Sequence, residues 1–353
     1  MLRTWRQRIT IADVVVWIIG LSIAFVVVYG SIKTIEVGKY NTRVWIDLTI
    51  TGLALGGVYA LIALGYTIVY GVLKMINFAH SEIFMSGPFT AVFLALALYK
   101  NGFWNSHPYI SLLLVTLLAV TVSSTLAVLL ERIAYRPLRT APRLVPLITA
   151  IGASFFLQYA FRGFFGSGLQ AYPELGFLKG TWTFGSIPVY KTQVVVIISA
   201  LIMMLILYGF VQLTKMGKAM RAVSEDKEVA GLMGIDVDRI IMLTFALGGA
   251  SAGLGGILYI LLFPVVHFFM GFIPGLKAFT AAVLGGIGNV PGAFLGAMIL
   301  GILEAVGPSL FLDGMGIAAP YQLKDAIAFI ILVFILIIRP SGILGERITQ
   351  TKA

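Results

Sequence analysis

The stretch Leu276-Lys277-Ala278-Phe279-Thr280-Ala281-Ala282-Val283-Leu284-Gly285-Gly286-Ile287-Gly288-Asn289-Val290-Pro291-Gly292-Ala293 interrupts an apolar run that covers 278–306. One crossing of a bilayer core takes about 20 apolar residues, so this run is too long for one comfortable span. Gly285, Gly286, Gly288, Pro291 and Gly292 also break any helix drawn through it. Inside a membrane a broken helix is tolerated only where protein or a water-lined cavity satisfies the freed backbone groups. The expectation is two short or re-entrant helices making an even number of crossings. A single tilted helix is the alternative, because tilt absorbs extra length.

Working outward, eight further apolar runs flank this one, at 11–29, 46–73, 75–99, 109–130, 144–165, 194–213, 240–263 and 326–338. The chain has 353 residues, 59% hydrophobic and only 11% charged, with a mean hydropathy of +0.99. Soluble domains carry about 25% charged residues, so a soluble, disordered or coiled-coil chain is excluded. No Cys and only His80, His107 and His267 leave no basis for a disulfide scaffold or a structural metal site, and no cofactor is expected. The fold class that follows is all-α: a polytopic transmembrane helical bundle of about 8–10 crossings, with broken or re-entrant helices.

Charge in the loops sets the orientation. The net charge of +10 reads as loop charge rather than as a nucleic-acid surface, since no basic stretch shows aromatic interleaving. Arg132, Arg136, Arg139 and Arg143 fall in 131–143, and Lys215, Lys218, Arg221, Lys227 and Arg239 fall in 214–239. Both loops should be cytoplasmic. The stretch 166–192 has only Lys179 and Lys191 and should lie outside. The first run is an anchor rather than a cleavable signal, and it keeps Arg3, Arg6 and Arg8 inside. Only an even number of crossings within 278–306 brings Arg339, Arg347 and Lys352 back to the same side. The chain then divides into an anchor helix with an external loop (1–44), a transmembrane domain (45–347) and a short cytoplasmic tail (348–353).

Three sets of residues could carry function. The segment 74–82 is the most polar interruption of any apolar run, and Asn77, His80 and Glu82 within it are candidates to line or gate a pathway. Asn77 and His80 would share a helix face, with Glu82 on another; a hydrogen-bonded hinge is the competing account. Glu304, embedded in the run 278–306, is weighed in the same way. The segment 217–235 is polar, of mixed charge and helix-compatible. It carries Ala222, Val229, Ala230 and Met233 at near-helical spacing, and Gly234 stands as a helix stop. It is either a solvated connector or a helix that docks into a cytoplasmic partner. No phosphate-binding G-x-x-x-x-G-K-[ST] loop occurs, so any ATP hydrolysis belongs to another subunit.

Leu55-Gly56-Gly57-Val58-Tyr59-Ala60-Leu61-Ile62-Ala63-Leu64-Gly65-Tyr66-Thr67-Ile68-Val69-Tyr70-Gly71, followed by Met75-Ile76-Asn77-Phe78-Ala79-His80, resembles the permease subunits of branched-chain amino-acid ABC importers. The stretch quoted at the outset resembles them too. Glu228-Val229-Ala230-Gly231-Leu232-Met233-Gly234 is similar to the E-A-A-x-x-x-G coupling signature of importer permeases, with Val229 for the first Ala. The resemblance covers about 45–347. It departs at Ser81, where Gly is expected, and before Trp45, where this chain has an extra helix.

The resemblance implies half of a translocation pore in a bacterial inner membrane. The expected partners are a second related permease, two cytoplasmic ATPase subunits and a periplasmic binding protein. It implies branched-chain or other neutral amino acids as cargo, with urea or short amides as relatives. Coupling to the ATPases is assigned to a helix over 221–234, with Arg221, Asp226, Glu228, Ala230 and Gly234 as its key positions. An ion-coupled transporter using His80, Glu82 and Glu304 as relay groups stands as the alternative, and an integral-membrane enzyme built on the same polar cluster as a third reading.

Overall fold

The computed structural model describes residues 11–139, 141–142, 144–185, 187–339 and 341–345. The expectations placed on Arg3, Arg6, Arg8, Arg143, Arg347 and Lys352 lie outside the described residues. Thirteen α-helices follow one another along the described chain: α1 (Ile11–Val37), α2 (Thr42–Leu73), α3 (His80–Lys100), α4 (Phe103–Ser106), α5 (Pro108–Leu130), α6 (Leu144–Phe165), α7 (Lys191–Leu213), α8 (Lys215–Glu225), α9 (Lys227–Leu232), α10 (Val237–Leu262), α11 (Phe272–Gly285), α12 (Val290–Gly307) and α13 (Lys324–Ile338). Eight segments are long and apolar enough to cross a membrane. Helices α11 and α13, with 14 and 15 residues, are shorter.

Helix α2 is the central post, buried almost continuously from Gly52 to Leu73 and packed on α12, α10, α11 and α7. Lipid offers no hydrophobic drive for one helix to join another, so close van der Waals contact between small residues does that work. Gly52 and Gly56 supply it towards α12: a Cβ on Gly52 would lie 2.7 Å from Ile302 Cα, and one on Gly56 2.8 Å from the Ala297 carbonyl oxygen. On α10, Gly249 and Gly253 bring α5 equally close, with a Cβ on Gly253 2.9 Å from the Ala119 carbonyl oxygen. Helix α1 stands at the margin with Trp17, Ile18, Leu21 and Phe25 exposed. It leans on 308–315, where Thr34 Oγ1 accepts from Gly314 N at 2.9 Å, and Lys39 pairs with Asp313 at 2.8 Å.

The run 278–306 is two helices, not one. Helices α11 and α12 form a hairpin in which Gly285 faces Gly292 and Gly296 faces Ala281 too closely for any side chain. Gly286 (φ +105°) and Gly288 (φ +99°) make the turn between them in a backbone region that L side chains avoid. Asn289 caps α12 through its side-chain oxygen, which accepts from Gly292 N at 2.9 Å. The carbonyls left open at the end of α11 are taken by the segment after α13: Ile343 N donates to Leu284 O and Leu344 N to Gly285 O, each at 2.9 Å, while Asn289 Nδ2 donates to Leu344 O at 3.0 Å. The chain after α13 therefore returns to the end of the bundle where the hairpin turns.

That same end carries the basic loops 131–139 and 214–239. At the opposite end β1 (Gln170–Ala171) pairs with β4 (Val265–Val266), and β2 (Thr181–Phe184) forms a hairpin with β3 (Ile187–Tyr190).

Candidate functional site

The polar interruption 74–82 is not part of a helix spanning 75–99; it leaves α2 at the basic end and runs back into the bundle, where His80 reaches the level of Gly65. Lys74, at φ 56°, closes α2 with its N–H on Tyr70 O at 2.8 Å, and α3 begins only at His80. Asn77 therefore precedes the helix and shares no helix face with His80, contrary to the spacing argument. The segment sends its three polar side chains to three different neighbours. Asn77 Oδ1 accepts from the Tyr135 hydroxyl at 2.9 Å, in the π-helical turn Glu131–Tyr135 that follows α5. His80 lies against Tyr66, ring centroids 4.7 Å apart, in a space that Gly65 leaves open; a Cβ on Gly65 would overlap the imidazole. Glu82, fully buried, turns to α6 and accepts through Oε1 from Gln158 Nε2 at 2.7 Å and Ser154 Oγ at 3.2 Å. Ser81 Oγ also lies 3.1 Å from that oxygen. Among the described residues Asn77 Nδ2, His80 Nε2 and Glu82 Oε2 have no hydrogen-bond partner. Ser81 is pressed between Gly271 and Gly275, neither of which has room for a side chain there.

Glu304 belongs to a separate cluster that includes a residue the sequence did not single out. Lys277 of α11, 4% exposed, lies 2.7 Å from Glu304 Oε1 and 2.6 Å from Asp325 Oδ1. The Tyr59 hydroxyl of α2 donates to Glu304 Oε2 at 2.9 Å, and the Lys277 ammonium stands 5.7 Å from the Tyr59 ring centroid. Lys324 closes the group at 3.9 Å from Glu304. Two cations and two anions thus tie α11, α12 and α13, and the Tyr59 hydroxyl joins α2 to them. Among the described residues His80, Glu82 and Glu304 share no hydrogen-bond partner.

At the basic end the segment 221–234 is two helices rather than one. Asp226 separates them and caps α9, accepting through Oδ1 from Glu228 N at 2.8 Å and Val229 N at 3.0 Å. Helix α8 turns Gly217, Met220 and Val223 inward at helical spacing, and its start is capped by Thr214, whose Oγ1 accepts from Gly217 N at 3.0 Å. Arg221 donates to the Val211 carbonyl at the end of α7, so it braces this chain rather than reaching outward. Ala230, expected on the docking face, is 4% exposed and packs inward; Val229 (53%), Leu232 (87%) and Met233 (79%) are the apolar residues left outside. Gly234, at φ +83°, ends α9, and Ile235 N then donates back to Ala230 O at 3.1 Å. Glu228 is exposed beside them.

A network of charges fixes this end. Arg139 binds both Glu131 and Asp238, and Arg136 also binds Asp238, which joins the loop after α5 to the start of α10. Burial, with the Arg139 guanidinium nearby, holds the pKa of Lys227 below the ordinary lysine value. Among the described residues no group of His, Asp and Glu is arranged to hold a metal ion.

Comparison with known proteins places these features in a family. Residues 48–336 match the family model of the permease component of branched-chain amino acid transport systems. The chain is 40% identical over 307 residues to the high-affinity branched-chain amino acid transport system permease protein BraD of Pseudomonas aeruginosa, covering 86% of this chain and 96% of that one. It is 41% identical over 300 residues to the Escherichia coli K12 protein LivH of the same description, covering 84% and 94%. A probable branched-chain amino acid transport permease of Methanocaldococcus jannaschii is 27% identical over 299 residues, covering 81% and 88%. With a glycine-clasped hairpin, a capped helix pair across the basic end and a family match over most of its length, the chain belongs to the permease components of branched-chain amino acid transport systems.

Proposed function

We propose that the protein forms one half of an ATP-driven translocation pathway that carries branched-chain or other neutral amino acids into a bacterial cell across the inner membrane. The basic end faces the cytoplasm, the β-hairpin end faces the periplasm, and both ends of the chain lie inside. A second related permease completes the pathway, two ATPase subunits dock on the cytoplasmic end, and a periplasmic binding protein delivers the substrate. The relatives' names support the substrate class.

The observation that carries this assignment is the outer surface of α9. Val229 and Leu232 protrude from a six-residue helix that has no core of its own, and Met233 from the residue that closes it. Such a helix gains stability by placing these side chains in a partner's groove. Asp226 and Gly234 serve the same surface indirectly, one by starting the helix and the other by ending it. Ala230 serves it by letting α9 lie flat on the bundle, and Arg221 by fixing α8 to α7.

The test is co-purification of the ATPases with Leu232→Asp and Met233→Asp, together with substrate-stimulated ATP hydrolysis in liposomes. Both should fall sharply while membrane insertion is kept. Wild-type values for both would leave α8 and α9 as solvated connectors. A cysteine at exposed Lys218, in this Cys-free chain, should react only with reagents that reach the cytoplasm.

A further inference from the structure

Helix α13 has 15 residues. At 1.5 Å per residue it rises about 22 Å, less than the roughly 30 Å of a bilayer's hydrocarbon core. Its last residues lie at the basic end, because the segment that follows pairs with Leu284 and Gly285. Its first residues, Lys324 and Asp325, therefore lie below the opposite surface, within hydrocarbon depth. Glu304, fourteen residues into α12 from the same end, stands at a matching height of about 21 Å.

Lys324 and Asp325 are not sealed at that depth. Their side chains are 48% and 44% exposed, whereas Lys277 and Glu304 behind them are 4% and 2% exposed. A charged side chain facing lipid in mid-membrane costs about 2.5–3.5 kcal/mol by insertion scales, and such residues turn to water or to protein. One side of α13 is taken by α11 and α12, and Phe334 comes near α1, where a Cβ on Gly20 would lie 3.8 Å from its ring.

We propose that Lys324 and Asp325, braced from behind by Lys277, Glu304 and Tyr59, line the aqueous route of translocation and give it a wall of both charge signs suited to a zwitterionic amino acid. The inference rests on the importer assignment above and names the stretch of the path that meets the substrate's two charged groups. Asp325 faces the ammonium and Lys324 the carboxylate. Lys277 is a positioning residue: bonded to both Glu304 and Asp325, it holds the Asp325 carboxylate at the edge of the route and keeps the buried Glu304 neutralised. A wall of one sign would hold one end of the zwitterion and repel the other, whereas the pair lets both pass.

The experiment places a cysteine by Lys324→Cys in the assembled importer, reconstituted in liposomes, and compares a charged, membrane-impermeant methanethiosulfonate with a lipid-soluble maleimide. The impermeant reagent should react readily, and the modification should lower amino-acid uptake several-fold while the ATPases still co-purify. Asp325→Asn should lower uptake with an unchanged yield of complex. Reaction with the lipid-soluble reagent alone would mean that the site faces lipid and would overturn the proposal. Protection from both reagents in the complex, but not in the isolated chain, would place the pair in a subunit interface and overturn it as well. Unchanged uptake after full modification would do the same. Failure of the unmodified chain to bring down the ATPases would sink the importer assignment, and that readout is independent of the labelling.

Discussion

Glu82 and Glu304 are both carboxylates buried within apolar helices, and the bundle treats them in opposite ways. Glu82 has only uncharged donors, from Ser81, Ser154 and Gln158, and all of them converge on one oxygen. Glu304 has Lys277 on one oxygen and Tyr59 on the other, with Lys324 and Asp325 at the edge of the group. The first arrangement fastens α3 to α6 through neutral hydrogen bonds and leaves no charged group near the surface. The second joins three helices by charge and a fourth by the Tyr59 hydroxyl, and it extends that charge to an exposed edge. A buried carboxylate in a membrane bundle is therefore informative only through its partners. Here neutral donors tie α3 to α6, and a cation shared with an exposed acid carries charge to the edge of the bundle.

The largest effect should come from breaking the charged arrangement on one side only. Lys277→Met leaves Glu304 buried without its cation, a loss of about 3–5 kcal/mol, read as a lower unfolding temperature of the detergent-solubilised protein. The double variant Lys277→Met with Glu304→Met should recover most of it, because the stranded charge is gone; no recovery would mean that the cluster is not held by charge. Next comes Gly65→Ala, where the new Cβ overlaps the His80 ring and lies 2.9 Å from Gly248 O. Overpacking of this kind costs about 1–3 kcal/mol and should appear in the same melting measurement. Glu82→Gln should cost only about 1 kcal/mol, since an amide oxygen can accept from Gln158 as the carboxylate does. A loss as large as that of Lys277→Met would erase the contrast between the two sites. Smallest for the whole protein is Asp226→Ala, which removes the cap of α9 for about 1 kcal/mol and should show as faster hydrogen exchange at Glu228 and Val229 only.

Much of this architecture was legible in the residue order. Long apolar runs gave the spans, and the density of Gly and Pro over 285–292 gave the broken hairpin, because those residues act on the backbone where they stand. Gly52 and Gly56, and Gly292 and Gly296, each stand four apart on one helix, the spacing at which two small residues face the same neighbour, and each pair makes a close helix contact in the structure. What stayed hidden depends on distant partners or on facing. Lys277 lies among apolar neighbours, and nothing local says that Glu304, 27 positions away, will meet it. Asn77, His80 and Glu82 look like one polar group in sequence, yet a turn and a helix start direct them to Tyr135, Tyr66 and α6. In 221–234 the mixture of Ala, Val and Met announces an amphipathic segment without saying which side is inward. Ala230 took the inner side because its small side chain lets α9 lie against the bundle, and Asp226 split the helix because its carboxylate caps the backbone N–H groups after it.

The clasp on the α11–α12 turn has a consequence for the order of synthesis. The carbonyls of Leu284 and Gly285 receive their hydrogen bonds from Ile343 and Leu344, which the ribosome adds only after α12 and α13 have been made. The turn must therefore enter the membrane surface incomplete and wait for a later part of the same chain. A protein stopped after Ile338 would keep all of its apolar segments and still leave that turn open. Membrane insertion would look normal, and a protease added from the basic side should cut near Gly286 and Gly288 in the shortened chain but not in the full one.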